Sequence, residues 1–461
     1  MKILVVGTNC EEYLAKTHEA FRVGLQRTLG ATLFGKGYPS HVDGLTSFQE
    51  VTRQAAGTDG PDVLITYVTH AQTLEGMTFD YEGIEALDAL VFVPMSDFWN
   101  MTDHFRDDLP KWLEANDLYA LSYYPNLPEM YAESEFAHRF VTTLPTFDPV
   151  LFNDWGIRPT FDVGLVGSGV LDYDPFYPER WSIRQQLNRR PDLHCLWKPH
   201  PGWGDHPLDH PQVGAGFSRL IQSCRFFICS GGKYDLPLAR YFETMASRTV
   251  LMGIEPVGAE EMGLVDGQTY IKITPENVLD KIDYYLARPE LCERIAEAGY
   301  WTAMRRHSCF SRALDFLEVV HKVQKRDPKG SGPTKVPARE GFLLDRASED
   351  WRPVLEAYLR AFTAEDQVSL LITPAPGSET GILLADLQDE LLRLAEALGL
   401  SRFAEVVVLD DPAEGLDWAR GCRQIQCLRP QDQSWATLQG EAGARLAAAW
   451  KVTTTHPGTL P

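Results

Sequence analysis

Residues 226–252 read FFICSGGKYDLPLARYFETMASRTVLM. The apolar run Phe226, Phe227, Ile228 stops at Ser230-Gly231-Gly232, and a helix-like segment carrying Arg240 and Glu243 follows. A second apolar run ends at Met252. Strand, tight glycine turn, helix, strand is one parallel α/β unit. Units of this kind hold ligands beyond the carboxyl ends of their strands, where backbone amides and helix N-termini face anions.

The same grammar extends in both directions. Residues 3–6 (ILVV) before Gly7-Thr8-Asn9, 63–68 (VLITYV) after Asp59-Gly60-Pro61, 89–94 (ALVFVP), 118–122 (LYALS) and 140–143 (FVTT) read as strands. Strands this apolar are buried on both faces, which favours a parallel sheet between helix layers. Residues 161–169 (FDVGLVGSG) restart the pattern, with a strand running into Gly167-Ser168-Gly169. Arg180 and Arg184 lie one helical turn apart on the next helix. Residues 193–197 form a strand ending in Lys198-Pro199-His200-Pro201, and 270–273 a last strand. Val278, Ile282, Tyr285 and Leu286 fall at helical spacing, and that helix is expected to stop near Pro289.

Composition narrows the class. A chain of 461 residues has room for two to four domains. Its formal net charge of −21 argues against non-specific nucleic-acid binding, which needs a basic face. The eight cysteines contain no C-x-x-C pair, so the expectation is reduced, buried thiols. The apolar run at residues 3–6 is too short for a signal peptide or membrane span, and a cytoplasmic protein is expected. His206 and His210 lie near Asp205 and Asp209 in a proline-rich loop without helical register, so no metal is expected.

The central stretch resembles the donor-binding segment of group 1 glycosyltransferases of the two-Rossmann (GT-B) architecture. Asp235, seven residues, then Glu243-Thr244-Met245-Ala246-Ser247 matches their acidic-x7-Glu motif. Two departures stand out: Asp235 replaces the usual Glu, and Arg248 stands where Gly is usual. Arg240-Tyr241-Phe242-Glu243 and the run Glu297-Ala298-Gly299, His307, Arg312, Ala313 are similar to the glycosyltransferase-like group named after spore maturation proteins. The resemblance implies an α/β GT-B fold. Residues 1–155 would form an acceptor lobe and 156–325 a nucleotide-sugar lobe, with a late helix over 312–323 crossing back. Residues 326–340, rich in Pro and Gly, are a linker by composition, and 341–461 a smaller, partial α/β domain. Within that domain, 351–362 and 384–398 read as helices and 368–372 and 404–409 as strands.

The resemblance also assigns roles. Glu243 would accept hydrogen bonds from the donor ribose, and Asp235 would face the donor sugar. Ser230 and Gly231, with Gly167 and Ser168, would bring backbone close to the diphosphate. Lys233, Arg180 and Arg240 are the candidate phosphate cations, since a metal-free diphosphate needs cationic side chains. Lys198-Pro199-His200-Pro201 looks like the K-P-H-P element of capsule and teichoic-acid polymerases, where the His contacts donor phosphate. Tyr234, Trp99 and Trp203 are aromatic candidates for stacking, with packing as the alternative. Asp97 or His104 would serve as acceptor base if the reaction inverts; if it retains, none is required. Other uses stay open: an N-cap for Asp235, a capping or surface role for Glu243, solvated charge for Lys233, and a plain turn for His200.

The implied activity moves a sugar from a UDP- or GDP-linked donor, without metal or other cofactor and with retention. The acceptor would be a glycan, protein or small molecule, with no nucleic acid and no membrane span involved. A K-P-H-P-type transferase and an inactive nucleotide-sugar-binding module are the alternatives.

Overall fold

The computed structural model describes residues 1–9, 16–45, 47–58, 60–67, 84–95, 103–202, 206–207, 209–326, 339–345, 352–362, 368–373, 393, 405–408 and 422–428. The chain folds as two units, 1–333 and 334–461. The larger unit holds two parallel sheets, each in its own lobe.

The first lobe contains β1 (Ile3–Val6), α1 (Lys16–Leu29), β2 (Thr32–Phe34), α2 (Phe48–Ala56), β3 (Val63–Thr66), β4 (Leu90–Met95), α3 (Asp103–Ala115), β5 (Leu118–Ser122), α4 (Asn126–Met130) and β6 (Phe140–Thr142). The strands pair in parallel in the order β2-β1-β3-β4-β5-β6. In register, Leu4 lies between Thr32 and Leu64. β1, β3, β4 and β5 are buried along their whole length, as apolar runs in a covered parallel sheet should be. β2 leaves no mark in the sequence pattern: three residues between Gly30 and Gly35 give no periodic signal.

The second lobe contains β7 (Phe161–Val166), α5 (Pro178–Leu187), β8 (Cys195–Lys198), α6 (Gly214–Gln222), β9 (Cys224–Cys229), α7 (Ala239–Ala246), β10 (Val250–Gly253), β11 (Ile271–Lys272), α8 (Val278–Leu286) and α9 (Pro289–Arg306). Its parallel order is β11-β10-β9-β7-β8. The period-2 alternation of the strands sorts side chains into two cores. Phe227, Cys229 and Leu251 enter one cluster with Phe217 and Phe242 of the covering helices. Phe226, Ile228, Val250 and Met252 enter the other with Ile183, Ile282 and Ile295. Pro289, expected as a stop signal, stands at the first position of α9, where its missing N–H costs nothing.

The last helix of the unit, α10 (Cys309–Gln324), crosses back onto the first lobe. Ala313, Phe316, Val320 and Val323 join the first-lobe core. The Phe316 ring meets Phe21 at 5.7 Å and Phe92 at 5.2 Å, both edge-on. At Gly24 the helices approach so closely that a Cβ would lie 2.3 Å from the Cys309 carbonyl oxygen. With two Rossmann-like lobes and this returning helix, the unit has the GT-B architecture.

The smaller unit has β12 (Arg339–Asp345), α11 (Arg352–Ala361), β13 (Val368–Thr373), β14 (Glu405–Val408) and β15 (Cys422–Leu428). Its parallel order is β14-β13-β12-β15. β12 takes in the last two residues of the expected linker, and the helix expected over 384–398 lies outside the described residues, Arg393 apart.

Truncating the aromatic that pins α10 should be expensive. Phe316→Ala is expected to cost about 3–5 kcal/mol, the usual range for an emptied aromatic site. A lower urea midpoint with unchanged slope would be the signature; an unmoved midpoint would deny α10 this role.

Candidate active site

Both sheets of the larger unit reverse their strand order beside the first strand, between β1 and β3 in one lobe and between β7 and β9 in the other. Ligands of open α/β sheets bind outside the carboxyl ends of the strands at such switch points. In the second lobe these ends are Gly167-Ser168 after β7 and Ser230-Gly231-Gly232 after β9.

Arg180, buried on α5, ties the two ends together. It donates to the Ser168 carbonyl at 3.2 Å and the Ser230 carbonyl at 2.9 Å. Its guanidinium lies 3.7 Å from the Tyr177 ring centroid. Burial lowers its pKa, yet the group stays charged, because arginine does not deprotonate in proteins. One turn on, Arg184 donates to the carbonyls of Val170 and Leu171, both at 2.8 Å. The two arginines therefore share a face, as their spacing requires, and hold the turn after β7 through its carbonyl groups.

The turn after β9 is built for close approach. A Cβ on Gly231 would lie 2.3 Å from the Leu236 nitrogen, and Gly232 has φ +68° against Phe176. Ser230 Oγ accepts the Gly232 N–H at 3.2 Å and donates to Glu179 at 3.3 Å. Gly232–Tyr234 forms one 3-10 turn, and Asp235 closes it in the left-handed region at φ 49°. Asp235 is thus no N-cap of α7. Pro237 keeps the preceding residue out of the helical region, the Leu238 N–H bonds the Leu236 carbonyl at 2.8 Å, and the helix begins only at Ala239.

Glu243 is buried on α7 and receives Arg240 Nε at 3.1 Å. Burial raises its pKa and Arg240 opposes the rise. Arg240 also lies 4.1 Å from the Phe217 ring centroid. His200, after β8, takes the Gly202 N–H on Nδ1 at 3.1 Å. Burial lowers its pKa, and Arg240 and then Arg180 push it lower still, so the three groups feel one another at the strand ends. Lys198 contributes its carbonyl to the Gly167 N–H at 3.0 Å, and its side chain is half-buried. Lys233 is exposed, with its ammonium 4.8 Å from the Tyr234 ring and 5.6 Å from Phe176. Burial, then the nearby Glu179, raises the pKa of Asp235.

Tyr234 packs rather than standing open. With Phe176 and Leu238 it lies against the first-lobe core, which Leu236 enters fully buried. Its carbonyl accepts the Asn126 side-chain amide of the first lobe at 3.1 Å. The segment after the glycine turn is thus a second seam between the lobes. Asp97, Thr69, His70, Trp99, Trp203 and the side chain of His104 lie outside the described residues.

Three residues escaped the sequence reading: Glu179, Phe176 and Tyr177. Only Glu179 left a trace, as an acid in a first helical turn after a proline. Arg248 explains its own oddity. Its φ of 50° is the left-handed conformation that favours glycine, and its guanidinium is anchored by Asp154 at 2.8 Å and by Glu293. Among the described residues, no group of three His, Cys, Asp or Glu side chains is placed to hold a metal ion, and no helix is long and apolar enough to cross a membrane.

Residues 180–318 match the family model described as glycosyl transferase-like. No curated protein matches the chain. Solved structures similar to it include a glycosyltransferase from Rickettsia africae, at 12% identity and TM-score 0.49, covering 71% of this chain and 99% of that one. The Anabaena HepE protein in complex with UDP and glucose is similar at 12% identity and TM-score 0.44, covering 70% and 100%. Sucrose-phosphate synthase from Thermosynechococcus elongatus is similar at 10% identity and TM-score 0.43, covering 71% and 100%. The matched part of the second lobe is therefore glycosyl transferase-like in sequence; it takes in Arg180, His200, the turn after β9, Arg240 and Glu243, while the turn after β7 and Glu179 precede it.

The buried carboxylate gives a test of sign. Its folded-state pKa is raised from the ordinary value of 4.5, so the native state holds that proton more readily than the unfolded chain. Its contribution is favourable below the unfolded pKa and is lost as pH rises through the folded one. Glu243→Gln is accordingly expected to be no less stable than the parent at pH 7.5 and to flatten that part of the stability–pH curve. A clear loss of stability in chemical denaturation would show that the ion pair with Arg240 outweighs burial.

Proposed function

We propose that this glycosyl transferase-like enzyme moves a sugar from a nucleotide-sugar donor to an acceptor held by the first lobe. The observation that carries the proposal is the convergence at the β7/β9 switch point. Two glycine turns, clasped by one arginine, lie beside a buried glutamate and a histidine that both feel Arg240.

In this reading the donor diphosphate lies over the turns at 167–169 and 230–232. Lys198, His200, Arg240 and Lys233 surround it, with Arg180 supplying positive potential from beneath. Glu243 accepts from the ribose hydroxyls, since only one of its oxygens is engaged in the ion pair with Arg240. Asp235, exposed beyond the turn, meets the sugar. The acceptor oxygen bonds to the anomeric carbon as the bond to the phosphate oxygen breaks, and the acceptor proton passes to the departing phosphate. The cations stabilise charge that grows on that phosphate in the transition state. On the motif likeness we place the reaction among retaining, metal-independent transfers, and the chain nearest the spore-maturation type. Closure of the lobes would exclude water from the activated sugar.

Thermal-shift titration with UDP, GDP, CDP and TDP sugars, followed by product mass, identifies donor and acceptor. Glu243→Ala is expected to abolish donor stabilisation and lower transfer by roughly a hundredfold or more, while its circular dichroism stays native. Undiminished turnover would remove the site assignment, and stabilisation by a sugar nucleotide with no transfer product would favour an inactive binding module.

A further inference from the structure

A cavity of about 200 Å³ opens where the chain crosses between the lobes, and it shares no lining residue with the candidate active site. The end of α9 contributes Arg305, Arg306 and His307, and the first turns of α10 contribute Ser311, Arg312 and Asp315. Leu144, from the segment after β6, and Glu261 complete the wall.

Its charge is unbalanced. Three arginines and two carboxylates line it; Arg306 donates to the Glu261 carbonyl, Arg305 lies 5.5 Å from the Trp301 ring centroid, and Asp315 is exposed and already paired with Arg312. The imidazole cannot act as counter-charge. His307 Nδ1 accepts from Arg312, and Nε2 faces the Met262 carbonyl at 2.8 Å, so the ring is a neutral Nε2–H tautomer stacked 3.9 Å from Phe242. Burial, then Arg312 and Arg306, hold its pKa well below the ordinary range. Arg312 itself is buried, and its Nε has no acceptor among the described residues. The amino end of α10 opens at the same place, facing the carboxyl end of α9, so the two helix dipoles offset one another and the positive charge comes from the arginines.

We propose that this cavity binds a phosphate dianion, either inorganic phosphate or the phosphate of a small monoester, and that the occupant braces the crossover. The volume suits a phosphate and falls short of the space a nucleotide sugar fills. Arginines recognise phosphate through paired N–H donors. The two crossing segments lie side by side here: Thr146 Oγ1 donates to the His307 carbonyl at 2.7 Å, and the Cys309 N–H to the Phe147 carbonyl at 2.9 Å. An anion gripped by α9 and α10 would therefore stiffen the crossover between the lobes. The inference rests on this cavity alone and stands apart from the donor reading.

Calorimetric titration of the full chain with inorganic phosphate tests it, with glycerol phosphate run in parallel to tell the two sources apart by relative affinity. Saturable binding is expected in the parent and in Lys198→Ala/His200→Ala, which removes donor-side groups. Arg305→Ala should weaken it by roughly tenfold or more. Ser311→Glu should abolish it, because a carboxylate would occupy the cavity; at the third position of α10 that side chain suits the helix start, so folding is preserved. Silence in the parent up to about 10 mM phosphate would overturn the proposal. So would binding unchanged in both cavity variants, or binding lost in the Lys198/His200 variant.

Discussion

One buried guanidinium sets the geometry of the second lobe's working end. Arg180 leaves α5 to take the carbonyl groups at the ends of β7 and β9, and these are the two strands between which the sheet order reverses. A buried arginine is tolerable only when its donors are satisfied. Here the satisfaction comes from backbone carbonyl groups, so the side chain fixes the separation of two glycine turns. The cation that sequence reading aimed at phosphate thus holds the platform through backbone carbonyl groups, and in the proposed function phosphate contact would fall to Lys198, Lys233 and Arg240.

The first lobe repeats the device. Arg22, on the helix after β1, donates to the Thr8 carbonyl at the end of that strand and lies 3.8 Å from the ring centroid of Tyr67 at the end of β3. Tyr67 in turn shares a 2.7 Å hydroxyl contact with Tyr123 beyond β5. Each lobe therefore plugs its switch point with an arginine from the helix that follows its first strand. Between the lobes, α10 and the segment 234–238 form two seams, one through Phe316 and one through Leu236.

Much of this was readable from residue pattern. Continuous apolar runs located nearly every strand of the two lobes, because a parallel sheet covered on both faces leaves no other composition open to them. Spacing placed Arg180 and Arg184 on one face and Glu243 on the helix after the glycine turn. What escaped lacked period or length: β2 has three residues, and β12 emerges directly from a proline- and glycine-rich linker. Glu179 and Phe176 matter through tertiary contact with Ser230 and Lys233, and no local rule announces such contact. Asp235 was open to reading as a helix cap because Pro237 follows it; the backbone instead turns left-handed there and delays the helix by three residues. Arg248 shows the converse, a departure from glycine whose conformation the chain retains by pairing the guanidinium with Asp154 and Glu293.

The central claim is that an activated sugar nucleotide docks at the β7/β9 switch point of the second lobe. Amide hydrogen exchange with and without UDP, the leaving group of a UDP-linked donor, addresses it most directly. The account predicts slowed exchange in the turns at 167–171, 200–202 and 230–236, with the first-lobe strands and the smaller unit unchanged. Protection confined to other segments, with these three turns exchanging as freely as before, would contradict it.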